Sequence, residues 1–154
     1  MIREARPDEA EALAAIQRDA SLAALAHIFP PELYPYPMQE VTERWEAFLA
    51  DPEVAVLVAE ENGSAAGIAA SHAEWLDGLY VRPECWSRGV GRRLHDNVLE
   101  RQRAAGTATC NLWVLEGNDR ARRFYERLGW HENGTTRVVP FPPNPIDVGY
   151  SIRL

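Results

Sequence analysis

Residues 75–115 switch from a strand pattern to a helix pattern and back, which restricts the possible folds more than any other feature. An apolar run from Trp75 to Val81 precedes a glycine turn, SRGVG, and a helical pattern extends from about Val90 to Ala105. Gly106 is a typical helix C-terminal residue, and Ala108–Leu115 has the composition of a strand. A helix between two strands has to bury its apolar side against a sheet. The chain therefore requires a sheet that is covered by helices.

Strands and helices are mixed along the rest of the chain as well. Ile2–Ala5 predicts a short strand, and Pro7 with two acidic residues predicts the start of a helix. Residues 39–50 have helical spacing, whereas four prolines interrupt residues 21–38. The remaining predicted elements are strands at Val54–Ala59 and Ala65–His72, a helix at 119–128, and strands at Trp130–Val139 and Asp147–Leu154. This order predicts an α+β fold with a sheet of mixed direction, in one domain spanning residues 1–154.

Charge and composition exclude several classes of protein. The net charge is −7, which argues against nucleic-acid binding, although residues 1–81 carry −11 and residues 82–154 carry +4. The longest apolar stretches, such as residues 54–59, are too short to span a bilayer. The N-terminal residues lack an apolar signal region, so we expect a cytoplasmic protein. Cys85 and Cys110 have neither metal-site nor redox spacing, which predicts reduced thiols and no metal.

The glycine turn suggests an anion site. A glycine turn before a helix presents free backbone N–H groups at the positive end of the helix dipole, where phosphate binds readily. A Walker-type phosphate loop is excluded because the chain contains no lysine. A dinucleotide-binding turn would have a third glycine where Leu94 stands. A plain strand–helix connection remains the alternative for these residues taken alone.

Two segments together carry a resemblance to a known family. LDGLYVRPECWSRGVGRRL (76–94), followed by LWVLEGNDRARRFYERLGW (112–130), resembles the GNAT superfamily of N-acyltransferases. The first segment matches the family's strand and pyrophosphate loop, with Trp86 where the family prefers Gln or Arg. The second matches its Asn-x-x-Ala-x-x-Phe-Tyr-x-x-x-Gly-Phe/Trp element. The resemblance implies a three-layer fold with a mostly antiparallel sheet of about six to seven strands, helices on both faces and a splayed parallel pair.

The resemblance also implies that acetyl-CoA binds between the splayed strands. The residues that would cradle its pyrophosphate are Trp86, Ser87, Arg88, Gly89, Val90, Gly91 and Arg92. The backbone of Leu79, Tyr80 and Val81 would pair with the pantetheine arm, and Asn118 and Arg122 would contact the cofactor. Asn118 is equally a helix N-cap by its position.

The family's chemistry assigns catalytic candidates to this chain. Tyr125 is the candidate acid that protonates the thiolate leaving group, with a plain core role as the alternative. Many relatives carry a glutamate base at the place of Trp75. The candidates that remain for the base are Asp77, Glu74 and His72, and a water channel with no dedicated base is the alternative.

The acceptor would lie against residues 22–46 and 139–147, where this family usually selects its acceptor. Phe29, Tyr34 and Trp45 are the candidate contacts, and nearby carboxylates suit a cationic primary amine of a small molecule or peptide. Packing of the same aromatic residues on the sheet is the alternative. The expected function is acetyl-CoA-dependent N-acetyl transfer in a ternary complex, without nucleic-acid or membrane partners and with a homodimer as a possible assembly. A non-catalytic acyl-CoA-binding module on the same fold is the alternative function.

Overall fold

A computed structural model describes residues 1–154, which form seven strands and four α-helices. The strands are β1 (Ile2–Glu4), β2 (Ala55–Glu61), β3 (Ser64–His72), β4 (Trp75–Val81), β5 (Thr109–Leu115), β6 (His131–Val138) and β7 (Ile146–Arg153). The helices are α1 (Ala10–Leu25), α2 (Met38–Ala50), α3 (Val90–Ala104) and α4 (Asp119–Arg127), and Pro83–Cys85 adds one 3₁₀ turn.

The strands form one sheet in the order β1-β2-β3-β4-β5-β7-β6. Strands β4 and β5 are parallel, and every other neighbouring pair is antiparallel. The parallel pair is the one that α3 connects, as a crossover between parallel strands requires. The mixed, mostly antiparallel sheet with a parallel pair is therefore confirmed.

Two apolar clusters hold the helices on opposite faces of the sheet. On one face, α1 and α2 bury Leu13, Ile16 and Trp45 against Val58 and Ile68. On the other face, the buried residues of α3 and α4 pack against the inner side chains of β5 and β7. These residues are Leu94, Val98, Tyr125, Leu112, Val148 and Tyr150. The sheet is thus the middle layer of three.

The observed bounds lie within a few residues of the predicted ones, and α1 differs in its start. This helix begins at Ala10, and Glu9 takes the N-cap position instead of lying inside the first turn. The Glu9 carboxylate is held by the Arg3 guanidinium at 2.7 and 2.9 Å and by the Arg6 backbone N–H at 2.6 Å. Because these contacts tie the Glu9 carboxylate to β1, Glu9 stays outside the helix, and α1 begins later than predicted. None of the helices is long and apolar enough to cross a lipid bilayer.

Candidate functional site

The parallel strands β4 and β5 diverge after a single point of contact. Their register contains one pair, Trp75 with Asn111, and the Asn111 N–H donates to the Glu74 carbonyl at 2.7 Å. Beyond this pair the two strands have no ladder hydrogen bonds between them, so the sheet opens toward the glycine turn. An opening of this kind leaves strand backbone available to pair with an extended ligand.

A bulge in β4 sets which groups face the opening. Ala70 pairs with Gly78 but Ser71 pairs with Leu76, so Asp77 is the extra residue on β4. Bulges change which face a side chain occupies. As a result, Leu76 and Leu79 both pack toward α3, whereas Tyr80 packs toward α1 and α2.

The backbone N–H and C=O groups at the end of β4 face β3 and the opening alternately. The Arg82 N–H donates to the Ala66 carbonyl on β3 at 2.9 Å. Because neighbouring residues of a strand direct their backbone groups to opposite sides, Leu79 and Val81 direct theirs toward the opening. Tyr80 directs its own toward β3, so its predicted backbone pairing with a ligand does not fit this geometry.

The glycine turn presents a row of free amides at the start of α3. None of the backbone N–H groups from Ser87 to Arg92 donates to a backbone carbonyl, and α3 has no side-chain N-cap. Ser87 and Gly89 have φ values of 62° and 80°, in the left-handed region. No atom lies within 4 Å of the point where a Cβ on Gly89 would stand. Six consecutive free amides at a helix N-terminus form an anion-binding concavity.

Trp86 directly precedes this row of amides in the chain. Its indole Nε1 donates to the Val81 carbonyl at 2.8 Å, and the Arg120 guanidinium lies 3.9 Å from the ring centroid. The residue that departs from the family motif therefore connects the end of β4 to the turn.

The three arginines of the turn differ in their partners. Arg93 forms an ion pair with Glu61 at 3.4 Å, and Arg92 forms one with Asp96 at 3.6 Å. Arg88 is exposed and forms no ion pair. Arg88 is therefore the most available of the three for a bound anion.

Helix α4 packs against the start of α3 through Phe124. A Cβ on Gly91 would lie 3.4 Å from the Phe124 Cζ atom, which is ordinary van der Waals contact, so the two helices approach closely at this point. Asn118 caps α4 by accepting from the Ala121 N–H at 3.2 Å, as its N-cap interpretation predicted. The Arg122 guanidinium is engaged within the protein, with the Tyr150 hydroxyl at 2.9 Å, the Glu116 carbonyl at 2.8 Å and the Glu132 carboxylate.

Tyr125 is buried beside the opening, with 7% of its surface exposed. Burial raises the pKa of its phenol above the ordinary value, and the nearby Tyr80 and Cys110 add to the increase. Those two residues belong to β4 and β5, which flank the opening. Its ring also packs at right angles against Phe124 and Trp130. Tyr125 is thus a core residue that packs in one cluster with Leu76 of β4 and Leu112 of β5.

Two of the three predicted base candidates lie in direct contact. His72, at the end of β3, places its Nδ1 atom 2.7 Å from the Asp77 Oδ2 atom. Burial raises the pKa of Asp77, while its hydrogen bond to His72 and the charge of Arg44 oppose that increase. Glu74 is exposed in the turn between β3 and β4 and forms no ion pair.

An aromatic pair next to this contact was not predicted from the sequence. Trp75 stacks on Trp113 of β5, with ring centroids 6.2 Å apart, and the Arg137 guanidinium lies 4.5 Å from the Trp113 ring centroid. The alternation of Asn111, Trp113 and Leu115 with buried residues along β5 was the available signal. This alternation indicates that Trp113 lies on the face of the sheet opposite α3.

The two segments expected to contact the acceptor lie close together. The Phe29 and Phe141 rings are 5.9 Å apart, and His27 Nε2 lies 2.8 Å from the Gly117 carbonyl oxygen. Tyr34 is half-buried in the same segment as Phe29. Trp45 does not share this environment, because it is 1% exposed and donates to the Gln17 side chain at 2.7 Å. Trp45 therefore packs in the core, where an acceptor cannot reach it.

No group of three or more His, Cys, Asp and Glu side chains lies close enough to hold a metal ion. The two cysteines are both free thiols.

Comparison with known proteins agrees with this geometry. The family model described as Acetyltransferase (GNAT) family matches residues 20–130. An uncharacterized N-acetyltransferase of Archaeoglobus fulgidus is 31% identical over 98 residues, which cover 56% of this chain and 67% of that protein. The peptidyl-lysine N-acetyltransferase YjaB of Salmonella typhimurium is 28% identical over 145 residues, or 92% of each chain. Three of the curated relatives, including the Archaeoglobus protein, align over only 67%, 38% and 62% of their own lengths.

Solved structures share the fold over the whole chain. The PaiA N-acetyltransferase of Thermoplasma acidophilum, crystallised with coenzyme A, has a TM-score of 0.78. The alignment covers 97% of this chain and 96% of that one, at 19% identity. The order of strands, the divergent parallel pair and the helices on both faces are therefore those of an established fold.

Proposed function

The chain belongs to the acetyltransferase (GNAT) family, and from that premise we propose that it moves an acetyl group from acetyl-CoA to a primary amine. Residues 1–154 act as one domain in this proposal. The family match and the relatives named N-acetyltransferases favour an enzyme over a non-catalytic acyl-CoA-binding module.

The observation that carries the proposal is the row of free amides from Ser87 to Arg92. A pyrophosphate needs several convergent hydrogen-bond donors, and main-chain N–H groups supply them whatever the side chains are. The open space beside Gly89 lets a phosphate approach the backbone closely. Because these contacts are main-chain, Trp86 in place of the usual Gln or Arg is compatible with binding, and the free guanidinium of Arg88 adds positive charge.

The opening between β4 and β5 suits the pantetheine arm. Leu79 offers an N–H and a carbonyl toward the opening, and Val81 offers its N–H because Trp86 already occupies its carbonyl. An amide N–H at this point also stabilises negative charge that develops on the thioester oxygen. The structure thus supports binding through Leu79 and Val81, without Tyr80.

Tyr125 is proposed as the acid that protonates the departing thiolate. Its phenol is protonated at neutral pH, as an ordinary tyrosine is, and burial raises its pKa further. A proton donor beside the opening makes the thiolate a better leaving group. Asn118 contributes by holding the first turn of α4, and any contact between Arg122 and the cofactor would require it to leave its present partners.

The acceptor is proposed to be a primary amine that enters on the α1–α2 side of the sheet. Phe29 contributes aromatic surface beside Phe141, and Tyr34 lies in the same segment as Phe29, so a cationic amine would gain cation–π contacts there. The Salmonella relative is named for peptidyl-lysine, so a lysine side chain is the first acceptor to test. Trp45 is left out of this site because it is buried.

Two measurements test the proposal. Titration calorimetry with acetyl-CoA is expected to show one site per chain, with affinity lost in Gly89→Val because the side chain fills the concavity. Release of free thiol is then followed with a lysine-containing peptide, a peptide with a free N-terminus and a diamine. Amine-dependent thiol release supports transfer. Tight binding with no release from any amine would instead support the binding module.

A further inference from the structure

We propose that His72 is the base that removes the proton from the acceptor ammonium, and that Asp77 positions it. This inference rests on the proposed function and concerns the same site. It assigns the base to one group, where Asp77, Glu74, His72 and water were all candidates.

The contact between the two side chains leaves one imidazole nitrogen free. The Nδ1 atom of His72 lies 2.7 Å from the Asp77 Oδ2 atom, so the carboxylate holds the ring proton at Nδ1. The Nε2 atom then carries the lone pair, and it has no hydrogen-bond partner within the protein. The His72 side chain is 43% exposed and that of Asp77 is 15% exposed. A partly buried carboxylate bonded to an accessible imidazole is also the arrangement of the histidine base in Ser-His-Asp triads.

The turn that carries His72 is held rigidly. His72 lies directly opposite Trp75 in the β3–β4 register, with only Ala73 and Glu74 between them. From α3, the Gln102 amide donates to the carbonyls of Ala73 at 3.1 Å and Trp75 at 3.3 Å. On the β5 side, the Glu74 carbonyl accepts from the Asn111 N–H at 2.7 Å. The imidazole is therefore positioned before any substrate arrives, which lowers the entropy cost of proton transfer.

The bulge in β4 directs Asp77 to the face on which an amine would approach. Asp77 is the extra residue opposite Ala70 and Ser71, so its side chain is displaced from the regular alternation. The stacked rings of Trp75 and Trp113 border the same region. Aromatic surface beside a base excludes water from one side, which strengthens the interaction of the base with the ammonium.

The charged and titratable groups around the pair come from α2, β4, β5 and the turn between β3 and β4. Arg44 of α2 lies near Asp77, and Tyr80 of β4 and Cys110 of β5 are close enough for Asp77 to raise their pKa values. Glu74 is exposed in the turn. The charge of Arg44 favours ionised Asp77.

The proton and bond changes balance without any further reactant. His72 Nε2 takes one proton from the ammonium, and the neutral nitrogen attacks the thioester carbon. The carbon–nitrogen bond forms, the carbon–sulfur bond breaks, and the sulfur takes the proton of Tyr125. The new amide nitrogen loses its extra proton through water to the Tyr125 phenolate. His72 returns its proton to solvent, so one proton is released for each acetyl group transferred.

The test is the pH dependence of kcat/KM for the amine that the parent enzyme uses best. His72→Gln is expected to lower kcat/KM about 100-fold at pH 7, with the affinity for acetyl-CoA unchanged. The two rates converge as pH rises toward the pKa of the acceptor amine, because the amine then needs no base. Asp77→Asn is expected to lower kcat/KM about tenfold through kcat, with the KM for the amine little changed, since the amide no longer holds the ring proton at Nδ1.

Matched variants separate this proposal from its alternatives. His131→Gln removes an exposed histidine on β6, outside the site, and is expected to match the parent. A His72→Gln enzyme with the parent rate and pH profile would overturn the proposal, as would the 100-fold loss appearing in Glu74→Gln instead. Calorimetry with acetyl-CoA confirms that His72→Gln remains folded. Absence of thiol release by the parent with every amine would refute the proposed function itself, and the base assignment with it.

Discussion

The indole N–H of Trp86 donates to the carbonyl of Val81 across 2.8 Å, and this bond fixes the turn relative to the last residue of β4. The same carbonyl faces the opening between β4 and β5, where an extended ligand would pair with the strand. The Arg120 guanidinium covers the indole ring at 3.9 Å. Trp86 therefore ties the start of the turn to the end of β4.

Replacing Trp86 tests this supporting role. Trp86→Phe keeps the ring but removes the hydrogen bond, and we expect the free energy of unfolding to fall by about 1 kcal/mol. Trp86→Ala also removes the contact with Arg120 and should cost about 1 to 3 kcal/mol more, because a large ring is deleted. Urea denaturation measures both. Acetyl-CoA affinity should fall several-fold in Trp86→Phe, and equal stability of the Phe variant and the parent would contradict the role.

Gly89 is expected to serve ligand binding as well as local backbone geometry. Its φ of 80° means that Gly89→Ala costs about 1 kcal/mol of stability. Gly106 provides a matched control, because its φ is 84° and a Cβ there would also meet open space. Both alanine variants should lose similar stability, while only Gly89→Ala should weaken acetyl-CoA binding, by about tenfold. Equal calorimetric affinities for the two variants would argue against the pyrophosphate site.

Tyr125→Phe should lower kcat about 100-fold with little change in the KM for acetyl-CoA, because the hydroxyl acts only when the thiolate leaves. The phenol must be protonated to donate. Because burial raises its pKa, the phenol stays protonated to higher pH, and kcat should show no tyrosine-dependent decrease below about pH 10.

Tyr150→Phe serves as the control. It removes a hydroxyl that bonds to Arg122 and Glu126, and it should reduce stability more than kcat. A Tyr125→Phe enzyme with the parent kcat would refute the acid role.

The ion pair between Arg3 and Glu9 predicts a specific acid sensitivity. The hydrogen bond from Arg3 lowers the pKa of Glu9 from 4.5 to about 2. A carboxylate whose pKa is lower in the folded state stabilises the fold above its unfolded pKa and loses that effect as pH falls. Glu9→Gln should therefore cost about 2 kcal/mol at pH 7, and the difference from the parent should shrink between pH 4.5 and 2.

Urea denaturation across this pH range measures that difference. Glu53→Gln changes an exposed carboxylate without an ion-pair partner and should stay within about 0.5 kcal/mol of the parent throughout. A constant difference between Glu9→Gln and the parent down to pH 2 would mean that the ion pair is not the source of the stability.

Local patterns in the sequence were enough to predict most elements and the fold. Apolar periodicity and turn residues act over a few positions, so the strand from Trp75 to Val81, the glycine turn and the cap of α4 by Asn118 were all predictable. Helical spacing also placed Tyr125 on the apolar side of α4. Local patterns placed Trp45 among acceptor contacts, because spacing alone does not say which partner an aromatic side chain will have.

Contacts between distant residues were decided only by the tertiary structure. The bulge at Asp77 depends on how β4 aligns with β3, and no local pattern encodes an alignment of that kind. It brought His72 and Asp77 together, placed Trp75 on Trp113 and turned the backbone of Tyr80 away from the opening. The sequence by itself was enough to predict the family, the fold and the glycine turn before α3. The packing of β4 against β3 and β5 decided which side chains lie together beside the opening, because those contacts join residues far apart in the chain.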